Sequence, residues 1–230
     1  MKKIVPNALT SLNLVFGVFA IIAVLGGNFD HAAYYIVGAV IADSLDGRAA
    51  RYYGVSGEFG KELDSLCDLG SFGVAPAIIA YALLLKDFGW IGYFSAGMFA
   101  VCVALRLARF NVNTSTVKGY FMGLPSPAGG ALIATFCMLD LRQMGLWFAV
   151  VVIAVAYLMI SEVKYPDFKG KDGEKIYSVA VVLTLATGFG ILYFITNSYL
   201  FVPIFCYTLF GLLNSTFSSL FGARLSRENQ

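Results

Sequence analysis

Asp43-Ser44-Leu45-Asp46-Gly47-Arg48-Ala49-Ala50-Arg51 closes one apolar run, and Gly60-Lys61-Glu62-Leu63-Asp64-Ser65-Leu66-Cys67-Asp68 opens the next. Four carboxylates therefore stand close together in a chain that is otherwise overwhelmingly apolar. Asp43 and Asp46 are three residues apart and Asp64 and Asp68 four, so on helices each pair shares one face. Carboxylates at bilayer depth are costly and persist where they are paired, hydrated or bound to metal. Two pairs of hard oxygen donors suit Mg²⁺, Mn²⁺ or Ca²⁺ rather than zinc, and such ions suit phosphate chemistry. The stretch predicts two neighbouring helices, joined by the short linker Tyr52 to Glu58, whose acidic ends meet around divalent cations.

The surrounding composition fixes the fold class. Of 230 residues, 59% are hydrophobic and only 13% charged, where soluble domains carry about 25% charged residues. Apolar runs long enough to cross a ~30 Å hydrocarbon core lie at about 8–27, 31–52, 64–86, 89–111, 125–141, 144–160, 176–196 and 199–221. The expected fold is an all-α, polytopic membrane bundle of about eight helices in one domain over 1–230. Six helices is the alternative count if the short fifth and sixth runs form a re-entrant hairpin. Pro76 predicts a kink in the third helix. Met1-Lys2-Lys3 before an apolar run resembles a signal peptide, but without a small-residue cleavage site it reads as a retained first helix. Cys67, Cys102, Cys137 and Cys206 fall in apolar segments without CxxC spacing, and read as buried free thiols.

Lysines and arginines mark the cytoplasmic side of a membrane protein. With the N-terminus inside, fourteen of the sixteen fall on inner segments, and only Lys86 and Arg142 fall outside. That asymmetry predicts both termini and the four aspartates at the cytoplasmic face of the cell membrane. The polar stretch from Glu162 to Lys175 reads as a solvated inner loop, and His31 as an outer residue without a catalytic role.

The pattern Asp43-x2-Asp46-Gly47-x2-Ala50-Arg51-x8-Gly60-x3-Asp64-x3-Asp68 resembles the signature of the CDP-alcohol phosphotransferase family, integral membrane enzymes of phospholipid synthesis. The resemblance covers about residues 5–130, the expected catalytic core, with additional spans over about 131–221 and a six-helix family core. It implies that Asp43, Asp46, Asp64 and Asp68 hold two divalent cations (Mg²⁺ or Mn²⁺, with Ca²⁺ also fitting). Asp68 would also act as general base. Gly47 and Ala50 keep a face low where a nucleotide lies against backbone. Arg51 is placed to meet phosphate through its planar fork; taken alone, it would read as a membrane-edge anchor. Asn7, Thr10 and Asn13, at steps of three along the first helix, form a polar stripe. Asn7 alone reads equally as a helix cap, but the resemblance places this stripe against the cytidine diphosphate of the lipid.

Arg106-Leu107-Ala108-Arg109-Phe110-Asn111 and Gly123-Leu124-Pro125-Ser126-Pro127-Ala128 resemble the phosphatidylserine synthase branch of the family. The implied acceptor pocket comprises Arg106, Arg109, Asn111, Lys118 and Ser126, with the arginines facing the carboxylate of L-serine; snorkelling anchors are the plainer reading of both arginines. The implied lipid substrate is CDP-diacylglycerol or an archaeal ether-lipid equivalent. The implied assembly is a homodimer among membrane lipids, with no nucleic-acid partner. Glycerol phosphate or inositol phosphate is the alternative acceptor. A cation transporter, the alternative from another class, leaves Gly47, Ala50 and Arg51 without a purpose.

Overall fold

The computed structural model describes residues 4–55, 57–113, 120–139, 141–166, 176–195 and 198–228. Helices α1 (Ile4–Leu25) and α2 (Phe29–Tyr53) form an antiparallel hairpin. Its turn closes at Gly27 with φ +78°, where the Asn28 N–H donates to the Ala23 carbonyl at 2.9 Å. The two helices meet where Phe16 and Phe19 pack on Tyr35, ring centroids 6.4 and 5.6 Å apart, and where the Phe16 ring lies over Gly38. On the core side the fully buried positions Ala20, Ala32, Ala33 and Ala39 are small. In lipid, where no hydrophobic drive separates protein from solvent, such residues allow the backbone approach that holds helices together. Gly54, in the left-handed region at φ +61°, ends α2 with its N–H directed at the Ala50 and Arg51 carbonyls. The chain then reverses into α3 (Glu58–Asp68).

Immediately after Asp68 the helical ladder slips. Leu69–Val74 form a π turn in which the Ala75 N–H reaches back to the Gly70 carbonyl, and α4 (Ala75–Leu83) continues beyond it. The irregularity observed near Pro76 is this wide turn, which ends just before the proline removes a donor from the helical ladder. Three helices crowd this turn. A Cβ on Gly17 of α1 would lie 2.8 Å from Ser71 Cα, and one on Gly73 would lie 3.2 Å from Val103. One on Gly130 would lie 2.8 Å from Phe72 Cα.

The remaining helices are α5 (Trp90–Asn113), α6 (Ser126–Phe136), α7 (Trp147–Ile160), α8 (Ser178–Phe194) and α9 (Phe201–Glu228). Helices stand at all eight expected positions. Among the described residues, Ile4–Leu25, Glu58–Leu83, Trp90–Val112 and Phe201–Leu220 are long and apolar enough to cross a membrane. α2 has the length, at 25 residues, but carries the charged motif at its end. The runs Ser126–Leu139, Trp147–Ile160 and Ser178–Phe194 are shorter. On α8 only Ala180, Thr184 and Gly188 are buried, while Val182, Leu185, Phe189 and Tyr193 are exposed, a surface suited to lipid.

The all-α expectation needs one addition. β1 (Tyr120–Met122) and β2 (Lys164–Pro166) pair antiparallel, with Phe121 opposite Tyr165. This ribbon ties the α5–α6 connection to the α7–α8 connection, so both lie at one end of the bundle. Lys61 of α3 donates to the Asn111 carbonyl of α5 at that same end. At the opposite end, the hydroxyls of Tyr34 and Tyr199 are 2.6 Å apart, joining the starts of α2 and α9.

Candidate active site

Three of the four motif aspartates converge on one point. α2 delivers Asp43 and Asp46 from its last turns, and α3 delivers Asp64 and Asp68 from the facing helix. One carboxylate oxygen from each of Asp43, Asp64 and Asp68 lies within 4.8 Å of the others. Asp46 stands outside that group of three but lines the same cavity as Asp64. Asp46 and Asp68 are only 7% and 6% exposed, too little for water alone to stabilise their charge. Asp46 Oδ2 and Asp64 Oδ1 are buried without a hydrogen-bond partner. Hard oxygens this close, with orphaned lone pairs, are the donor chemistry of a divalent cation site. The residues present fit such an ion.

Beside the acids is a cavity of about 300 Å³. Pro6, Asn7 and Thr10 of α1 line one wall, and Asp46, Gly47 and Ala50 of α2 another. Val55, Gly57, Phe59, Gly60, Lys61 and Asp64 complete it. The two motif glycines here are not forced by crowding. A Cβ on Gly47 would meet only Arg51 Nη1 at 3.7 Å, and one on Gly60 only Asn7 Oδ1 at 3.7 Å. Their missing side chains therefore add volume to the cavity rather than relieve a clash. Arg51 is exposed, with Nη1 over Gly47 at the cavity edge, and is not among the lining residues.

Asn13 goes elsewhere than the sequence suggests. Fully buried, it donates from Nδ2 to Asp68 Oδ1 at 2.9 Å and does not line the cavity. The polar stripe of α1 thus divides: Asn7 and Thr10 face the cavity, Asn13 the acids.

The residues proposed for an acceptor pocket also separate. Arg106, 7% exposed, donates from Nη1 to the buried Ser126 hydroxyl at 2.9 Å, while its Nε has no partner. It lies within electrostatic reach of Asp68 and Tyr207. Arg109 instead donates to the carbonyls of Ile160 at 3.0 Å, Ser161 at 3.1 Å and Met122 at 3.3 Å, closing the end of α7 against the ribbon. Asn111 donates to Ser65 Oγ at 2.8 Å and fastens α5 to α3. Lys118 lies outside the described residues.

Sequence reasoning missed Lys61 as a cavity residue. Its signal was present, since Lys61 and Asp64 share one helical face three residues apart. Val55, Gly57 and Phe59 carried none, because only the folded linker brings them over the cavity.

Comparison with known proteins agrees with this geometry. The sequence profile of the family described as CDP-alcohol phosphatidyltransferase matches residues 3–158. The chain is 37% identical over 171 residues to the CDP-diacylglycerol–serine O-phosphatidyltransferase of Helicobacter pylori, covering 71% of this chain and 72% of that protein. It is 39% identical over 187 residues to the Methanocaldococcus jannaschii enzyme of the same name, covering 80% and 86%. The archaetidylserine synthase of Methanothermobacter thermautotrophicus is 40% identical over 168 residues, covering 72% and 70%. With the acidic motif, the cavity and a profile match over most of its length in accord, the chain belongs to the CDP-alcohol phosphatidyltransferase family.

Proposed function

We propose that this enzyme transfers a phosphatidyl group from CDP-diacylglycerol, or the archaeal ether-lipid equivalent, to the hydroxyl of L-serine, giving the phosphatidylserine-type lipid and CMP. The observation that carries the reading is the single cavity shared by Asn7, Thr10, Gly47 and Ala50 with the carboxylates Asp46 and Asp64. The relatives' names supply serine as the acceptor, and one supplies an archaeal lipid product.

Asn7, Thr10, Gly47 and Ala50 seat the nucleotide, and Arg51 closes over its phosphates from the rim. Asp43, Asp46, Asp64 and Asp68 hold two divalent cations, Mg²⁺ or Mn²⁺, with Ca²⁺ also fitting the oxygen set. When bound, these ions neutralise charge on the diphosphate and on the departing CMP. Asp68 takes the proton from the serine hydroxyl. The serine oxygen forms a bond to the phosphorus nearest the diacylglycerol, the bond from that phosphorus to the CMP oxygen breaks, and CMP leaves with the electron pair. A carboxylate is a weak base for an alcohol, so the proton moves late, as the new bond forms. Arg106, held by Ser126, faces the serine carboxylate. The enzyme works as a homodimer in the cell membrane, with both termini and the active site on the cytoplasmic side.

The test is CMP release by purified protein given CDP-diacylglycerol and, in turn, serine, glycerol phosphate and inositol phosphate. Release with serine is expected, lost on EDTA treatment and restored by Mg²⁺ or Mn²⁺. Release only with another alcohol would overturn the acceptor assignment.

A further inference from the structure

We propose that Asn13 is a positioning residue for Asp68, an inference that rests on Asp68 serving the transfer. The amide of Asn13 donates to Asp68 Oδ1 at 2.9 Å across 55 residues of sequence. Fixing one oxygen fixes the carboxylate plane, and with it the directions of the lone pairs that remain for a cation or a proton.

Both ends of this contact are themselves held. Ser71, three residues beyond Asp68, donates from its hydroxyl to the Asn13 carbonyl oxygen of the main chain at 2.9 Å. One turn along α1, Gly17 lets the π turn come close: an added Cβ would lie 2.5 Å from Ser71 Oγ and 2.8 Å from Ser71 Cα. Asn13 and Asp68 are therefore fixed by the same helix-to-turn junction.

Two further observations favour a role in the reaction over packing. Asn13 is 0% exposed, and its Oδ1 is buried without a partner. An orphaned carbonyl is a cost that a leucine of similar size would avoid, so filling space does not call for asparagine here. An amide also suits the task where a cation would not. It orients the carboxylate while leaving its negative charge intact, whereas lysine or arginine would form an ion pair and compete with divalent ions for the same oxygens.

The full-length protein with Asn13→Leu is compared with wild type by steady-state CMP release, CMP binding and thermal unfolding. The expected result is a kcat about 100-fold lower, with the CDP-lipid KM and the CMP Kd changed by less than about threefold. A raised CDP-lipid KM and CMP Kd with kcat preserved would make Asn13 a nucleotide contact and overturn the proposal. An unchanged kcat, whatever the unfolding temperature, would reduce Asn13 to packing and overturn it as well. Should Asn13→Leu fail to fold, Asn13→Ser, whose hydroxyl is too short for the contact, is held to the same kcat criterion. Wild type is assayed with each acceptor alcohol. Inactivity with serine but activity with another alcohol sinks the acceptor assignment alone, and the Asn13 comparison then proceeds with that alcohol.

Discussion

Arg106 and Arg109 lie one turn apart on α5, and sequence pattern treats them alike. The structure gives them different surroundings. Three main-chain carbonyls surround the Arg109 guanidinium, while Arg106 donates to the Ser126 hydroxyl and keeps an Nε without a hydrogen-bond partner among the described residues. Arg109→Ala is expected to lower stability by roughly 2 kcal/mol or more, from lost charge-assisted bonds, seen as a lower unfolding temperature in detergent. Arg106→Ala is expected to raise the serine KM by about tenfold or more while the CDP-lipid KM changes little. The cavity glycines make a third residue-level test. A Gly47→Val side chain meets little protein, since the nearest atom to an added Cβ is Arg51 Nη1 at 3.7 Å. It should leave unfolding unchanged and raise the CDP-lipid KM by about tenfold or more, measured by CMP release.

Among the elements, the π turn Leu69–Val74 stands between the acidic half of the third span and its apolar half. Such turns recur at functional sites, because an extra residue per turn changes which side chains face the neighbours. Here it follows directly on Asp68 and presents Ser71 to α1 and Phe72 to α6. Gly17→Leu is expected to push α1 off this turn, since its Cβ would meet Ser71 main chain at 2.8 Å. Unfolding temperature and kcat should fall together, measured on the same preparation. Its opposite behaviour to Gly47→Val would separate glycines that admit a helix from glycines that admit a substrate. In the sequence, Gly70 and Gly73 stand three apart in an apolar run, a small-residue pattern that suits close helix packing in lipid. The π turn itself was not legible there, because a single slipped turn leaves the apolar pattern of a long helix unchanged.

At the scale of the molecule, the ends of the helices sort consistently. The ribbon, the Lys61–Asn111 contact and the acids share one end, and the Tyr34–Tyr199 pair marks the other. We propose, on the lysine and arginine count, that the first end faces the cytoplasm. In intact cells, Tyr199→Cys should react with a membrane-impermeant maleimide, and Gly57→Cys only after lysis; the reverse pattern would invert the orientation.

The sequence by itself determined the bundle, the positions of its apolar helices and the convergence of Asp43, Asp64 and Asp68. Hydrophobic run length and three- or four-residue spacing are local properties that survive any packing. Only the tertiary structure decided the division of the α1 stripe between cavity and Asp68, the separate duties of Arg106 and Arg109, and the arrival of Lys61 and Val55 at the cavity. Those depend on which neighbouring helix each side chain meets, and partners 50 or more residues apart leave no periodic trace in the chain.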